Sequence, residues 1–196
     1  MTLKYKIVAI LTPLLVVVDQ ITKIWVVQNL RYQRDEIEVI PGFLSIIHAQ
    51  NPGAAMGMLV DSPYRMVIFA VFTVVAVGVL FNMLKQIADD DRFQSVTIAL
   101  ILSGAVGNAI DRVHKQTVTD FIKVYTEYAP LKSWLLDTFR TNEWPTFNVA
   151  DAAIVVGVAL YLVHYLFFER DKAGAEGDVG TNPLEEEKPT ETPTEK

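Results

Sequence analysis

The sequence predicts an all-α polytopic membrane protein: four transmembrane helices, a small β-sheet at the membrane surface, and a membrane-surface amphipathic helix or loop. Three observations lead there. Hydrophobic residues make up 51% of the 196, and the mean hydropathy of +0.28 is high for a chain that must keep a charged surface in water. The apolar residues are clustered, and four stretches reach or approach the roughly 20 helical residues that cross a bilayer core. Two longer polar connections separate them, one alternating in polarity and one rich in aromatic residues.

The first span covers about residues 7–27. It is too long for a signal-peptide core and lacks a small-residue cleavage site after it, so it reads as a retained helix. Asp19 and Lys23 lie four residues apart on one face of it and read as a buried structural ion pair. The second span, about 64–84, has no charge before its end other than Arg65. The third, about 93–110, is closed by Asp111-Arg112, and the fourth, about 149–168, carries Asp151 in its first turn. Each is expected to be helical, because lipid offers the backbone no hydrogen-bond partner.

Within the first connection, Glu36-Ile37-Glu38-Val39 alternates, Pro41-Gly42 turns, and Phe43-Leu44-Ser45-Ile46-Ile47 follows. This predicts a hairpin-like sheet within about 31–60. The other connection, about 113–146, holds Tyr125, Tyr128, Trp134, Phe139 and Trp144, residue types that favour the headgroup layer. Leu131, Trp134, Leu135, Leu136 and Phe139 form a helical stripe, which predicts a short helix lying on the bilayer. The short connection from Lys85 to Arg92 places both termini on one side and the two long loops on the other. Lysines and arginines flank both sides, so charge alone does not orient the chain. Residues 1–170 thus make one membrane domain. Residues 171–196 form an acidic tail that carries most of the net charge of -6 and is expected to be disordered.

Composition excludes several chemistries. The chain has no cysteine, hence no disulfide, thiol nucleophile or thiolate metal site. His48, His114 and His164 are far apart and fit no zinc-hydrolase spacing. No basic cluster is dense enough to neutralise a row of phosphates, so no nucleic-acid partner is expected. No G-x-S-x-G element presents a serine nucleophile.

Charged groups in apolar surroundings are expensive and mark function or a buried pair. Asp120, in Val118-Thr119-Asp120-Phe121-Ile122, and Asp151, in Phe147-Asn148-Val149-Ala150-Asp151, both lie near the same membrane face. Two carboxylates in contact share a proton and titrate as a unit, a state suited to activating water against a peptide bond. Spacing alone leaves separate ion pairs or helix N-caps as strong alternatives, and a helix dipole would stabilise Asp151 without any catalysis. Asn108, Asp111 and Arg112 form a second polar cluster after Gly104 and Gly107, whose small size suits close helix packing. Arg112 has a surface ion pair as its default reading. Asn51-Pro52-Gly53-Ala54-Ala55 is either a turn or a place where another backbone can lie close.

Taken together, these pieces resemble the lipoprotein signal peptidase family, also called signal peptidase II. The matching stretches are Asp19-Gln20-Ile21-Thr22-Lys23, Asn51-Pro52-Gly53-Ala54-Ala55, Gly104 through Arg112, Val118 through Ile122, and Phe147 through Asp151. They occur in family order on four predicted spans. The resemblance implies a multi-pass protein of the bacterial cytoplasmic (inner) membrane. Both termini are then cytoplasmic, with the β-sheet and the active site at the extracytoplasmic face. It implies an aspartic endopeptidase with Asp120 and Asp151 as catalytic dyad. Asn51, Asn108, Arg112 and Asn148 then position substrate or dyad, and Asp19, Lys23 and Asp111 are structural polar residues. The implied substrate is a prolipoprotein whose lipobox cysteine carries diacylglycerol, cut on the amino side of that cysteine. Membrane lipids and a globomycin-type inhibitor are further implied partners. No metal or cofactor is expected, and the chain is expected to be monomeric. The sequence departs from the pattern at Ser103, at Met56, and in the long stretch between Asp120 and Asp151. A proton-coupled carrier lined by the same charges, or an inactive lipoprotein-binding relative, are the rival readings.

Overall fold

Helices dominate the computed structural model, which describes residues 1–53 and 62–169. Three of the helices long and apolar enough to cross a membrane are α1 (Leu3–Asn29), α2 (Arg65–Gln86) and α3 (Arg92–Lys115). The fourth span, Val149–Phe167, is made by α5 (Val149–His164) and the π-helical turn Tyr165–Glu169 that follows it. A shorter helix, α4 (Ala129–Phe139), lies between them in sequence. The chain is therefore a membrane protein of the fold class expected. Residues Met1–Tyr161 pack as one compact unit. The acidic tail expected over 171–196 lies outside the described residues, as do 54–60 of the expected β region.

Within this unit α3 is the central helix. Half of its apolar window is buried, against 17% in each of the other spans. The outward faces of α1 and α2 present Ile10, Leu14, Val17, Val67, Val71 and Phe72 exposed. Such continuous apolar exteriors would be a liability in water and are matched to lipid. The inner faces meet in a cluster of Val8, Leu80, Leu84, Ile98, Ala99 and Leu102. Near that end Lys4 donates to the Lys85 and Ile87 carbonyls at 3.2 and 2.8 Å and pairs with Asp89 at 3.1 Å. A cation on the last carbonyls of α2 complements the negative end of that helix.

A second cluster joins the other end of α1 to a sheet: Val26, Leu30 and Phe121, with Ile46, Ile122 and Val149 packed against them. The sheet has three antiparallel strands in the order β1 (Glu36–Ile40), β2 (Leu44–Asn51), β3 (Val118–Val124). The hairpin β1–β2 follows the alternation read from the sequence. The third strand does not. Val118 through Phe121 are all buried, and the order apolar, polar, polar, apolar across them carries no alternation to mark a strand.

The third span also runs farther than expected, to Lys115 instead of residue 110. Asp111 and Arg112 do not end it, because Asp111 turns inward to the buried Lys23. Gln116, at φ +59°, supplies the left-handed cap. Gly104 and Gly107 are where α3 meets α5 and α1. A Cβ on Gly107 would lie 2.7 Å from Asp19 Oδ2, and one on Gly104 would collide with the Ala150 carbonyl and Ile154.

Candidate active site

The start of α5 is organised by Asn148, which is fully buried. Its Oδ1 accepts the Asp151 N–H at 3.0 Å, while its own N–H donates to Asp151 Oδ2 at 3.2 Å. This reciprocal arrangement is a capping box, in which the cap residue and the third helical residue each satisfy the other's backbone donor. The Ala150 N–H, another of the donors that a helix start leaves free, is taken by Asp19 Oδ1 of α1 at 2.9 Å.

With its oxygen committed to the cap, Asn148 has two N–H donors left. They go to Asp120 Oδ1 at 2.8 Å and to Asn108 Oδ1 at 3.2 Å. Asn108 in turn donates from Nδ2 to Asp151 Oδ1 at 2.7 Å. Asp120 on β3 and Asp151 on α5 are thus joined through one amide, with a second amide closing a ring on the Asp151 side.

Behind this ring stands a charged frame. Lys23 is completely buried and reaches Asp19 Oδ2 at 2.9 Å, Asp111 Oδ2 at 3.4 Å and Asn108 Oδ1 at 3.0 Å. Asp111 also accepts the Thr119 N–H at 2.9 Å and lies 3.5 Å from Lys115. Gln20 donates to Asp19 Oδ2 at 3.0 Å and to the Gly107 carbonyl at 3.1 Å. Two lysines and two aspartates sum to zero charge, and nearly every polar atom is occupied. Those are the conditions under which buried ions are tolerated.

The sheet delivers Asp120 to this place. In the β2–β3 register Asp120 stands opposite Ala49, and Val118 opposite Asn51. On the other side of β3, Phe121 and Ile122 both donate their N–H to the Phe147 carbonyl at 3.0 and 2.8 Å. That contact ties the strand to the residue just before the α5 cap. Burial pushes the Asp120 carboxyl up to about 6, and the negative charge of Asp151 pushes the same way. Hydrogen bonds from Asn148 and Asn51 and the charge of Lys23 oppose the shift.

One cavity of about 890 Å³ has Asn51, Asn108, Arg112, Asp120 and Asp151 on its wall. Asn148 is buried behind them, while Asp19, Lys23 and Asp111 form the frame and are not on the wall. Arg112 makes a contact the sequence did not suggest. Its guanidinium lies 4.3 Å from the Phe69 ring centre, a cation–π contact with α2, and it is Asp111 that turns to the lysines. Trp144, read in the sequence only as a headgroup-layer aromatic, and Phe147 also line the cavity, together with Pro145 and Thr146, which were not singled out in the sequence. Their position just before Asn148 is the signal that marks them in retrospect. Among the described residues no group of histidine, aspartate and glutamate side chains converges as metal ligands.

The family model described as Signal peptidase (SPase) II matches residues 11–167. The chain belongs to the signal peptidase II family. Among its relatives is a lipoprotein signal peptidase of Geobacter metallireducens, 40% identical over 85% of this chain and 94% of that one. Another, from Listeria welshimeri, is 37% identical over 84% of this chain and 96% of its own. A solved bacterial membrane enzyme structure, obtained by the in meso method at 2.3 Å resolution, superposes with a TM-score of 0.67. It is 28% identical and covers 90% of this chain and 93% of its own. The cavity, the amide ring and the charged frame all lie within the part of the chain that this signal peptidase II match covers.

Proposed function

We propose that the chain removes signal peptides from diacylglyceryl-modified bacterial prolipoproteins, with Asp120 and Asp151 as the water-activating pair. The observation that carries this reading is Asn148, whose amide donates to Asp120 and whose cap holds Asp151, so that both carboxyl groups open on one cavity. Ionised Asp151 takes a proton from water as the water oxygen attacks the scissile carbonyl carbon. Protonated Asp120 gives its proton to the carbonyl oxygen, and a tetrahedral diol forms. Asp151 then passes its proton to the leaving nitrogen, the C–N bond breaks, and a diol proton returns to Asp120. The products are a signal peptide ending in a carboxylic acid and a lipoprotein whose lipidated cysteine has a free amine.

Cleavage falls on the amino side of that cysteine, as membership of the family implies; the diacylglycerol stays in lipid and confines the scissile bond to the membrane edge, where β3 and α5 present the pair. Acyl-chain binding is remote from the reacting bond and serves orientation. Asn51 and Arg112 on the cavity wall hold the substrate backbone. Both termini are cytoplasmic, the cavity is extracytoplasmic, and the chain acts as a monomer in the inner membrane. A globomycin-type cyclic peptide occupies the same cavity.

The test is processing of a lipidated precursor in membranes by Asp120→Asn and Asp151→Asn variants. Each is expected to lose about 10³-fold or more in cleavage rate, within the span of proton-transfer catalysis. Undiminished cleavage by either variant sinks the assignment.

A further inference from the structure

We propose that Lys23 is a positioning residue of this peptidase: its ammonium fixes which end of the Asn108 side chain faces Asp151, so that Asp151 meets an N–H and not a carbonyl oxygen. The inference rests on the peptidase reading above and gives Lys23 a part in it beyond neutralising buried charge.

An ammonium has three donors and no acceptor, so every group it touches must accept. Lys23 reaches two carboxylate oxygens and, at 3.0 Å, the Asn108 oxygen. The two ends of a side-chain amide are nearly equal in size, and only their partners decide which way round it sits. Turned over, Asn108 would aim its NH₂ at the Lys23 ammonium and at the Asn148 NH₂, donor against donor. Its oxygen would face Asp151, acceptor against acceptor.

With Lys23 in place, the reversed amide loses a charge-assisted hydrogen bond and gains a repulsion, so it is strongly disfavoured. Without Lys23, the partners that hold the orientation are the Asn148 N–H at 3.2 Å and Asp151 itself. A carboxyl group facing a carbonyl oxygen can relieve the clash by keeping its own proton, and a protonated Asp151 cannot serve as base. The other charged groups around Asp151 are Asp120 from β3 and Arg112 from α3, with Asp19, Lys23 and Asp111 behind them.

The orientation is tested in the purified full chain in lipid–detergent micelles, with a synthetic diacylglyceryl lipopeptide as substrate. Lys23→Met alone would leave two buried carboxylates short of a cation, so it is paired with Asp19→Asn. The informative contrast is D19N/K23M against D19N/K23Q, which have equal charge and similar size. Glutamine can still donate an N–H to the Asn108 oxygen, and methionine cannot. The acid limb of the kcat–pH profile should move up by about one pH unit in the methionine variant, a tenfold loss on that limb, with KM nearly unchanged. D19N/K23Q should keep the limb that D19N itself shows, and the methionine shift is read against that limb. Identical limbs in the methionine and glutamine variants overturn the proposal. Should the methionine variant not accumulate, Asn108→Asp presents an oxygen to Asp151 with Lys23 intact. Its limb must also move up, and an unmoved limb overturns the proposal. Absence of cleavage by the unaltered protein would instead remove the peptidase reading.

Discussion

Two pairs of aspartates meet on either side of the Asn108 side chain in this protein, and they are handled in opposite ways. Asp19 and Asp111 are about 1% exposed and are held by Lys23 and Lys115. Asp120 and Asp151 are held by amides, through Asn108, Asn148 and the backbone at the α5 cap. A cation beside a carboxylate neutralises its charge, whereas an amide supplies a hydrogen bond without a charge. One pair is thus balanced by lysines and the other only hydrogen-bonded, though the two share one end of the helix bundle. The two sets meet at one atom, the Asn108 oxygen, which accepts from both Lys23 and Asn148.

The comparison breaks most directly at Lys23. Replacing it alone by methionine leaves Asp19 and Asp111 short of a counter-charge in a buried site, at a cost of about 3–5 kcal/mol. Thermal unfolding in detergent should show the loss, and Asp19→Asn should recover part of it. A K23M protein as stable as the parent would mean that the frame is not structural.

Asn148→Ala removes an N-cap, which by itself costs about 1 kcal/mol of stability. It also removes the amide that holds the Asp120 carboxyl and that donates to the Asn108 oxygen, so cleavage should fall about 10²-fold, more than the lost cap alone explains. A rate loss no larger than the stability loss would reduce Asn148 to a cap.

A smaller effect sharpens the titrating side of the contrast. Asp120 is raised from the ordinary 3.8 to about 6. Well below pH 3.8 the group is protonated whether the chain is folded or not, so it costs the fold nothing. As pH rises toward 6, the unfolded chain gives up the proton more readily, and the fold loses stability. Asp120→Asn removes that penalty. The unfolding free energy of the variant should therefore gain on that of the parent between pH 4 and pH 7, by at most about 3 kcal/mol at 1.36 kcal/mol per pKa unit. A gap that narrows over that range would contradict the burial of Asp120.

The smallest effect belongs to an exposed pair. Asp35 is held down at about 2 by hydrogen bonds from the Arg31 side chain and backbone. Arg31→Ala should let it rise toward 3.8, followed by carboxyl NMR, with cleavage unchanged.

Much of this was legible in the chain because hydrophobicity is local. The four spans announce themselves as apolar runs. Asp120 and Asp151 stand out for being charged inside apolar segments, and Asp19 and Lys23 for sharing a helix face. The hairpin shows in the alternation from Glu36 and in Pro41-Gly42. Three features did not show. Strand β3 is buried throughout its first half, so it carries no alternation to read. The third span looked complete at Asp111 because a charge usually ends an apolar run, yet that charge is met by Lys23 from α1 as well as by Lys115 one turn on. Arg112 looked like half of a surface ion pair but lies over Phe69.

The sequence alone determined which residues enter lipid and which acidic groups are anomalous there, because burial of an apolar run depends on neighbours along the chain. Only the tertiary structure decided the partners: Asp19 on the α5 backbone, Lys23 on Asn108, Asn148 between the two carboxyl groups. Hydrogen bonds require atoms within about 3 Å in set directions, and for residues as far apart in the chain as 19 and 150 that geometry exists only once the helices have packed.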